Sequence, residues 1–312
     1  MYKIVSKREL AYNIYFMEIE SKRVAKSAKP GQFVIVRSDE KSERIPLTIS
    51  DFDKDKGTVS IVFQVVGQGT KELSDYEVGD YVKDFVGPLG KPSEFIDEDL
   101  EKLRNQKIVF IAGGVGAAPI YPQVKWMKDR KIDVDVILGS RSKKLLILED
   151  ELRKVSNNLY IATDDGSYGF NGRVTDMLNY LVKQKKKNYD KAIVIGPMIM
   201  MKFMCNLTKE LDIPTTVSLN PIMIDGTGMC GACRVTVGDE IKFACVDGPE
   251  FDGHLVNFDE AMRRQNIYKT EEGRAFLKEK EGDSHHGGCG HCGGELENKI
   301  QKKGLKILMR YA

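Results

Sequence analysis

Short hydrophobic runs separated by glycines dominate the N-terminal part of the chain. Residues 34–36 are apolar and follow a Pro-Gly pair, and residues 58–66 alternate in character and are rich in β-branched side chains. Glycines at 67, 69, 79, 87 and 90 continue the punctuation. Strands at this spacing predict a small antiparallel β-barrel, which we assign to residues 1–98.

The pattern changes near residue 100. Residues 107–112 form a short, fully apolar run, as expected of a parallel strand buried on both faces. Similar runs at 134–138, 159–162 and 191–196 are separated by segments of helical character. Strands that alternate with helices predict a doubly wound α/β domain, which we assign to residues 99–219.

The remaining segments differ from both. Residues 220–260 hold three cysteines, many glycines and one clear strand at 234–237, and predict a small metal-binding subdomain. Residues 258–281 are charged and helical in character, and the last 18 residues are basic with some helical periodicity. We assign residues 261–312 to a helical and Cys/His-rich tail. The composition of residues 282–294 predicts no packed element.

The most specific chemical signal is the spacing Asp225-x4-Cys230-x2-Cys233-x11-Cys245. The first three positions have the spacing of a plant-type [2Fe–2S] loop, which has cysteine at the first position and a distant fourth cysteine. A carboxylate can replace a thiolate there, although it is a harder ligand. The pattern favours a [2Fe–2S] cluster, and the alternative is a zinc knuckle that uses the three cysteines and a fourth group.

A glycine turn directly follows the apolar run at 107–112. Glycines at such a strand-to-helix turn let the backbone approach a pyrophosphate. Alone the pattern is weak, but its position favours a nucleotide site over a plain turn. The candidate contacts are Gly113, Gly114, Gly116 and Pro119.

Other segments at predicted strand ends are candidate walls of the same nucleotide site. Arg141 follows the second α/β strand and would meet a 2′-phosphate of NADP, or it is a solvated loop residue. Asp164 and Asp165 follow the third strand and would bind ribose hydroxyls, or they form a simple turn. These candidates are Asp164, Asp165, Gly166, Gly196, Pro197 and Met198.

Two barrel segments have the residue types that a flavin dinucleotide needs. Arg44 can pair with a diphosphate, and the Thr48 hydroxyl can bond a flavin ring edge. Gly69 and Thr70 follow some twenty residues later. Each segment alone is a strand end or a turn; ahead of a nucleotide domain they indicate a flavin site.

The tail contains a second set of metal-binding residue types. His285, Cys289, His291 and Cys292 would suit zinc or another metal. The alternative is a tail that holds no metal, because no packed scaffold is predicted around these residues.

Charge and hydropathy exclude two classes of partner. Lysine and arginine total 48 against 46 acidic residues, which gives a formal net charge of +2. This balance indicates neither nucleic acid nor a membrane surface as a partner. The sequence has no apolar run of the roughly 20 residues that a membrane span needs, and no signal-peptide core at its start. We expect a cytoplasmic protein.

Taken in order, these motifs resemble the ferredoxin-NADP reductase superfamily. Within it, residues 1 to about 270 resemble the electron-transfer subunits of two-subunit dihydroorotate dehydrogenases. Asp225 and the run Pro249-Glu250-Phe251-Asp252-Gly253 more closely resemble the small subunits of NADH-dependent reduced ferredoxin:NADP oxidoreductases, also called sulfide dehydrogenases. The tail lies outside the resemblance.

The resemblance implies FAD, NAD(H) and a [2Fe–2S] cluster as cofactors, with hydride transfer between nicotinamide and flavin and no catalytic side chain. It implies a larger partner subunit with its own FAD, two [4Fe–4S] clusters and an NADPH site, ferredoxin as a substrate of the complex, and electron bifurcation. It also assigns the FAD contacts to Arg44, Pro46, Leu47, Thr48, Phe63, Gln64, Val65, Gly69 and Thr70.

Three alternatives stay open on the sequence. The first is the electron-transfer subunit of an NAD-linked dihydroorotate dehydrogenase, which Asp225 disfavours because those subunits have cysteine there. The second is a zinc-holding binding module without catalysis. The third is a stand-alone ferredoxin reductase.

Overall fold

The computed structural model describes residues 1–274. The first part is one antiparallel sheet of seven strands in the order β6-β1-β2-β5-β4-β3-β7, curled into a nearly closed barrel. Its elements are β1 (Tyr2–Ala11), β2 (Ile14–Glu20), α1 (Lys22–Ser27), β3 (Phe33–Arg37), β4 (Ile45–Asp53), β5 (Thr58–Gln64), α2 (Gln68–Asp75), β6 (Tyr81–Val82) and β7 (Asp84–Leu89).

Strand β5 shows why the barrel is joined to the next domain. Val59, Ile61 and Phe63 point into the barrel core. Val62, on the opposite face of the strand, packs with the core of the α/β domain. Both faces of β5 are therefore buried, which accounts for its continuous β-branched run.

The second part is the predicted α/β domain. Its elements are α3 (Leu100–Asn105), β8 (Ile108–Gly113), α4 (Ala117–Asp129), β9 (Val134–Ser140), α5 (Glu149–Val155), β10 (Asn158–Thr163), β11 (Phe170–Asn171), α6 (Val174–Asn179), β12 (Lys191–Ile195), α7 (Met198–Glu210) and β13 (Thr215–Ser218). The parallel strands lie in the order β11-β10-β9-β8-β12-β13. Because the chain crosses from one side of β8 to the other, the topological switch point lies between β8 and β12, where such sheets bind ligands.

Residues after 219 form a hairpin, an added strand and a helix. These are β14 (Arg234–Val237), β15 (Glu240–Phe243), β16 (Glu250–Asp252) and α8 (Phe258–Gln265). Strand β16 pairs antiparallel with β13 and so extends the α/β sheet. The predicted strand at 234–237 is confirmed as β14. The segment expected to be helical is helical at Phe258–Gln265 and again at 269–274, with a turn at 266–268 between them, and its remainder lies outside the described residues.

One hydrophobic core connects the three parts. It contains Phe33 and Ile35 of the barrel, Val109 of β8, and the side chains of Cys233 and Cys245. An ion pair between Lys125 Nζ of α4 and Asp51 Oδ1 of β4, at 2.9 Å, adds a polar link between the barrel and the α/β domain. No helix among residues 1–274 is long and apolar enough to cross a membrane.

Candidate functional site: a cysteine loop and a nucleotide crevice

The loop between β13 and β14 contains the first three predicted cluster ligands. Gly226, Gly228 and Gly231 all have φ between +68° and +83°, a conformation that glycine adopts without strain. A Cβ on Gly226 would lie 2.6 Å from Ile35 Cδ1, so this loop packs directly on the barrel. These glycines therefore let a short loop fold back closely on itself and on β3.

Two of the predicted ligands already adjoin each other. Cys233 and Cys245 are each 1% exposed, and their Sγ atoms lie 3.2 Å apart. Burial, together with the neighbouring Cys233 thiol, raises the pKa of Cys245 to about 12. A bound metal would deprotonate the Cys245 thiol, because it supplies the missing positive charge.

The other two predicted ligands are arranged differently. Cys230 is exposed, and the Asp225 carboxylate accepts hydrogen bonds from the backbone N–H groups of Thr227 at 2.8 Å and Cys230 at 3.0 Å. These bonds lower the pKa of Asp225, that from Thr227 most. Within residues 1–274, no group of three or more His, Cys, Asp or Glu side chains converges on one point.

The residue types nevertheless fit an iron–sulfur cluster. Three free thiols and a carboxylate lie on one glycine-rich loop and its closing turn. Two of these thiols, Cys233 and Cys245, are already adjacent. The ligand roles of Asp225, Cys230, Cys233 and Cys245 stay predictions. The tail residues His285, Cys289, His291 and Cys292 lie outside the described residues.

The predicted FAD residues lie on or directly beside the paired strands β4 and β5 and at the start of α2. Pro46, Leu47 and Thr48 are half-buried. The Thr70 hydroxyl accepts hydrogen bonds from the N–H groups of Val66 and Gly67, at 3.0 and 3.1 Å. It thereby closes the turn that begins α2, whose N-terminal N–H groups suit a diphosphate.

Two of the predicted FAD residues have contacts that the sequence did not indicate. Arg44 donates from Nε to the carbonyl of Ile224 at 2.8 Å and from Nη2 to that of Asp225 at 3.5 Å. Its guanidinium therefore holds the start of the cysteine loop, and its pairing with a diphosphate stays a prediction. The Phe63 ring is buried in the barrel core, so only its backbone is available to a ligand.

The predicted nucleotide residues meet at the carboxyl ends of the parallel strands. Gly113 ends β8, Arg141 follows β9, the acidic pair at 164–165 follows β10, and Gly196 follows β12. A Cβ on Gly116 would overlap the carbonyl of Ile195, so this glycine is required for close packing of the turn on β12. Arg141 and the acidic pair are exposed, whereas Gly113 and Met198 are buried.

Sequence reasoning missed two residues near these sites. Glu250 accepts hydrogen bonds on Oε1 from Ser93 Oγ at 2.8 Å and Gln123 Nε2 at 2.9 Å, and burial raises its pKa to about 7. Met200 covers Gly113 and Gly196. Nothing in the sequence distinguished Glu250 from the neighbouring Asp247 and Asp252, or Met200 from its neighbouring methionines.

Comparisons with family models identify two of the three parts. Residues 110–206 match an oxidoreductase NAD-binding domain. Residues 220–257 match the iron–sulfur cluster binding domain of dihydroorotate dehydrogenase B.

Similar proteins extend the match over most of the chain. A Thermotoga maritima homologue of the electron-transfer subunit of dihydroorotate dehydrogenase B is 46% identical, over 86% of this chain and 92% of its own length. An uncharacterized protein encoded in the adh 3′ region of Clostridium beijerinckii is 69% identical, over 95% of this chain and its whole length. A solved structure described for NADH-dependent reduced ferredoxin-NADP oxidoreductase and flavin-based electron bifurcation is 44% identical and has a TM-score of 0.80, covering 89% of this chain and 98% of that one.

The fold, the cysteine loop and the nucleotide crevice together define an oxidoreductase subunit whose cofactors are FAD, an iron–sulfur cluster and NAD(H). More narrowly, the chain belongs to the family of dihydroorotate dehydrogenase B electron-transfer subunits and their homologues. Its relatives are subunits of complexes with a larger partner.

Proposed function

We propose that this subunit exchanges electrons between NADH and a larger flavin and iron–sulfur subunit in an electron-bifurcating NADH- and ferredoxin-dependent NADP oxidoreductase of the cytoplasm. The observation that carries the proposal is the position of the buried Cys233–Cys245 pair in the core that contacts both the barrel and the α/β domain. A cluster held there adjoins both domains, which supports electron transfer from a flavin on the barrel. The resemblance to the 44% identical structure supports the bifurcating reaction.

Each part of the chain has a separate task in this proposal. The cofactors, when bound, supply hydride transfer between nicotinamide and flavin and single-electron transfer through a [2Fe–2S] cluster. Residues 1–98 hold FAD, residues 99–219 hold NAD(H), residues 220–260 hold the cluster, and residues 261–312 form the tail. The chain itself positions these cofactors and excludes water from them. The residues that we propose to contact the cofactors are those predicted from the sequence.

The test is an anaerobic visible and EPR spectrum of the purified protein, with iron, zinc and flavin quantified. About two irons and one FAD per chain, with a rhombic signal on reduction, are expected for this cofactor set. Zinc without flavin would contradict the proposal and indicate a metal-holding binding module. A colourless protein would lead to the same conclusion, since zinc sites do not absorb visible light.

A second candidate function rests on the relatives that are named as electron-transfer subunits of dihydroorotate dehydrogenase B. In that case electrons would come from dihydroorotate on a different partner subunit. The two functions are separated by assaying the purified complex with NAD⁺ and dihydroorotate. Our proposal predicts no NADH formation in this assay, and sustained NADH formation would favour the second function.

We predict that Asp225 tunes the cluster as a ligand. Replacing Asp225 by cysteine should change the visible spectrum and shift the reduction potential, because a thiolate donates more charge to iron than a carboxylate does. Absorption spectroscopy measures the visible spectrum, and a redox titration followed by EPR measures the reduction potential. The control is Asp239→Cys, which adds a thiol at an exposed turn between β14 and β15. An unchanged spectrum and potential in Asp225→Cys would show that Asp225 only caps the loop.

We also propose that the larger subunit, with its own FAD, two [4Fe–4S] clusters and NADPH site, docks on the cluster-loop surface, defined as Ile224, Met229, Cys230 and Val246. Met229 is 88% exposed directly beside the predicted ligand Cys230. Electrons leaving the cluster need a short path, so the partner should cover this loop. Apolar exposure at that point is consistent with an interface.

Replacing Met229 by glutamate should weaken binding of the larger subunit about tenfold or more, because the interface would bury an unpaired charge. Titration of the larger subunit, followed by size-exclusion chromatography, measures the change. Tyr12→Glu is the control, at a residue that is 70% exposed on the β1–β2 turn, outside the cluster-loop surface. Equal affinities for Met229→Glu and the unmodified protein would place the interface elsewhere.

A further inference from the structure

Side chains from two parts of the molecule hold the backbone of the cysteine loop, defined as residues 219–233. Gln265 and Arg264 lie on α8, within the same subdomain, and donate to carbonyls of the loop at 2.9 and 3.2 Å. Arg44 reaches the loop from the barrel. The loop is therefore held from two sides, and Arg44 holds it on the side of the barrel.

Arg44 lies directly before β4 and donates to two consecutive carbonyls of the cysteine loop. Its Nε lies 2.8 Å from the carbonyl oxygen of Ile224, and its Nη2 lies 3.5 Å from that of Asp225. Asp225 is the first predicted cluster ligand. The guanidinium therefore fixes the backbone from which this ligand side chain projects.

The next residues of the loop connect these two bonds to the buried thiols. A Cβ on Gly226 would lie 2.6 Å from Ile35 Cδ1, so the backbone packs on the barrel without room for a side chain. Two residues later, the backbone N–H of Gly228 bonds to the Cys245 thiol. Because the loop is short and closely packed here, a shift of its backbone beside Arg44 would also displace the predicted ligands.

The Arg44 guanidinium also places a positive charge beside the predicted cluster. Both of the groups to which it donates are neutral carbonyls, so these contacts leave its charge uncompensated. The reduced form of a cluster carries one more negative charge than the oxidised form. A nearby positive charge therefore stabilises the reduced form and raises the reduction potential.

The segment that begins with Arg44 also forms the predicted wall of the flavin site. Pro46, Leu47 and Thr48 follow it on β4. One short segment of the barrel thus contacts the cysteine loop and contains predicted flavin contacts. Its geometry determines how far the cluster lies from the flavin.

We propose that Arg44 is a positioning residue for the iron–sulfur cluster, which fixes the cysteine loop against the flavin-binding strand and raises the reduction potential of the cluster through its charge. This inference rests on the proposed cluster function of the loop. It differs from the role that the resemblance implies, in which the guanidinium pairs with the FAD diphosphate, because it acts on the backbone of a predicted cluster ligand.

The test uses the purified protein under anaerobic conditions, with FAD added to saturation so that a change in flavin affinity does not alter the comparison. Arg44→Met keeps a long side chain but loses the donors and the charge. It should release iron to a chelator several-fold faster and have a more negative reduction potential, measured by a redox titration followed by EPR. Arg44→Lys keeps the charge without the planar fork of donors. Its potential should stay near that of the unmodified protein, whereas its iron release should remain faster.

Arg37→Met is the matched control. Arg37 is half-buried in the barrel like Arg44, but it bonds to Asp84 and Glu40 rather than to the cysteine loop. Its loss should leave iron release and potential unchanged, and equal changes in both variants would overturn the inference by tracing the effect to barrel stability.

Two other results would also overturn the inference. One is an unchanged cluster in Arg44→Met, and the other is a loss of FAD that saturation does not restore while the cluster stays intact. The latter would assign Arg44 to the diphosphate alone. If the unmodified protein holds no iron, the proposed cluster function fails first and the role of Arg44 fails with it.

Discussion

Replacing Cys233 by alanine should remove the iron–sulfur cluster while leaving FAD bound and reducible by NADH. Cys233 is 1% exposed and lies against Cys245 in the core shared by the three parts of the chain. Loss of this thiolate leaves a four-ligand cluster with one position open in the buried core. Iron should fall from about two per chain to near zero, and electron transfer to the larger subunit should fall to background.

The matched control is Cys205→Ala. Cys205 is also a buried thiol, 4% exposed, but it lies on α7 and burial raises its pKa to about 12. Iron, sulfide and FAD are quantified in both variants, together with the rate at which NADH bleaches the flavin. Full iron content in Cys233→Ala would exclude Cys233 as a ligand. Equal iron loss in Cys205→Ala would show that the cluster responds to core packing rather than to a particular ligand.

Local patterns predicted the fold because each pattern has one physical cause. Strand β8 reads as an uninterrupted apolar run because Phe110 faces one core and Val109 and Ile111 face another. The cysteine loop is recognisable in the sequence by its glycines, because positive φ values at these positions favour glycine over other residues. Spacing therefore predicted the cluster loop, and the glycine pattern together with its position after an apolar strand predicted the nucleotide turn.

Contacts between distant segments could not be predicted in the same way. Arg44 has the residue type that a diphosphate needs, but its guanidinium binds carbonyls 180 and 181 residues later in the chain. Met200 lies in a run of similar methionines, and only the packing of α7 on β8 and β12 distinguishes it. Such contacts depend on how whole domains meet, which periodicity and spacing do not encode.

Glu250 is the clearest example, because its environment is assembled from three parts of the chain. It lies on β16, and its Oε1 is bound by Ser93, from the segment after the barrel, and by Gln123 of α4. Both of these partners are fully buried. Burial is the main cause that raises its pKa from 4.5 to about 7, with a smaller contribution from Glu94, whereas Lys191 and the two hydrogen bonds oppose the shift.

We expect Glu250→Gln to change the pH dependence of stability. Because the folded-state pKa lies above the unfolded value, the folded protein binds the extra proton between pH 4.5 and 7. Ionisation therefore costs stability as the pH rises through this range, by up to about 3 kcal/mol at pH 8. Glutamine keeps an acceptor for Ser93 and Gln123 and does not titrate. Relative to the unmodified protein, the variant should gain stability steadily from pH 5 to pH 8.

Urea unfolding at pH 5, 6, 7 and 8, with the difference between variant and unmodified protein taken at each pH, isolates this one group from all other titrations. Glu94→Gln is the companion variant: it removes one of the charges that raise the pKa of Glu250, so it should lower that pKa and reduce the pH-dependent loss of stability in part. A difference for Glu250→Gln that is constant across this range would show that Glu250 is ionised throughout. Its two donors would then stabilise the anion enough to offset burial, and the junction of the three parts would hold a fixed charge rather than a proton.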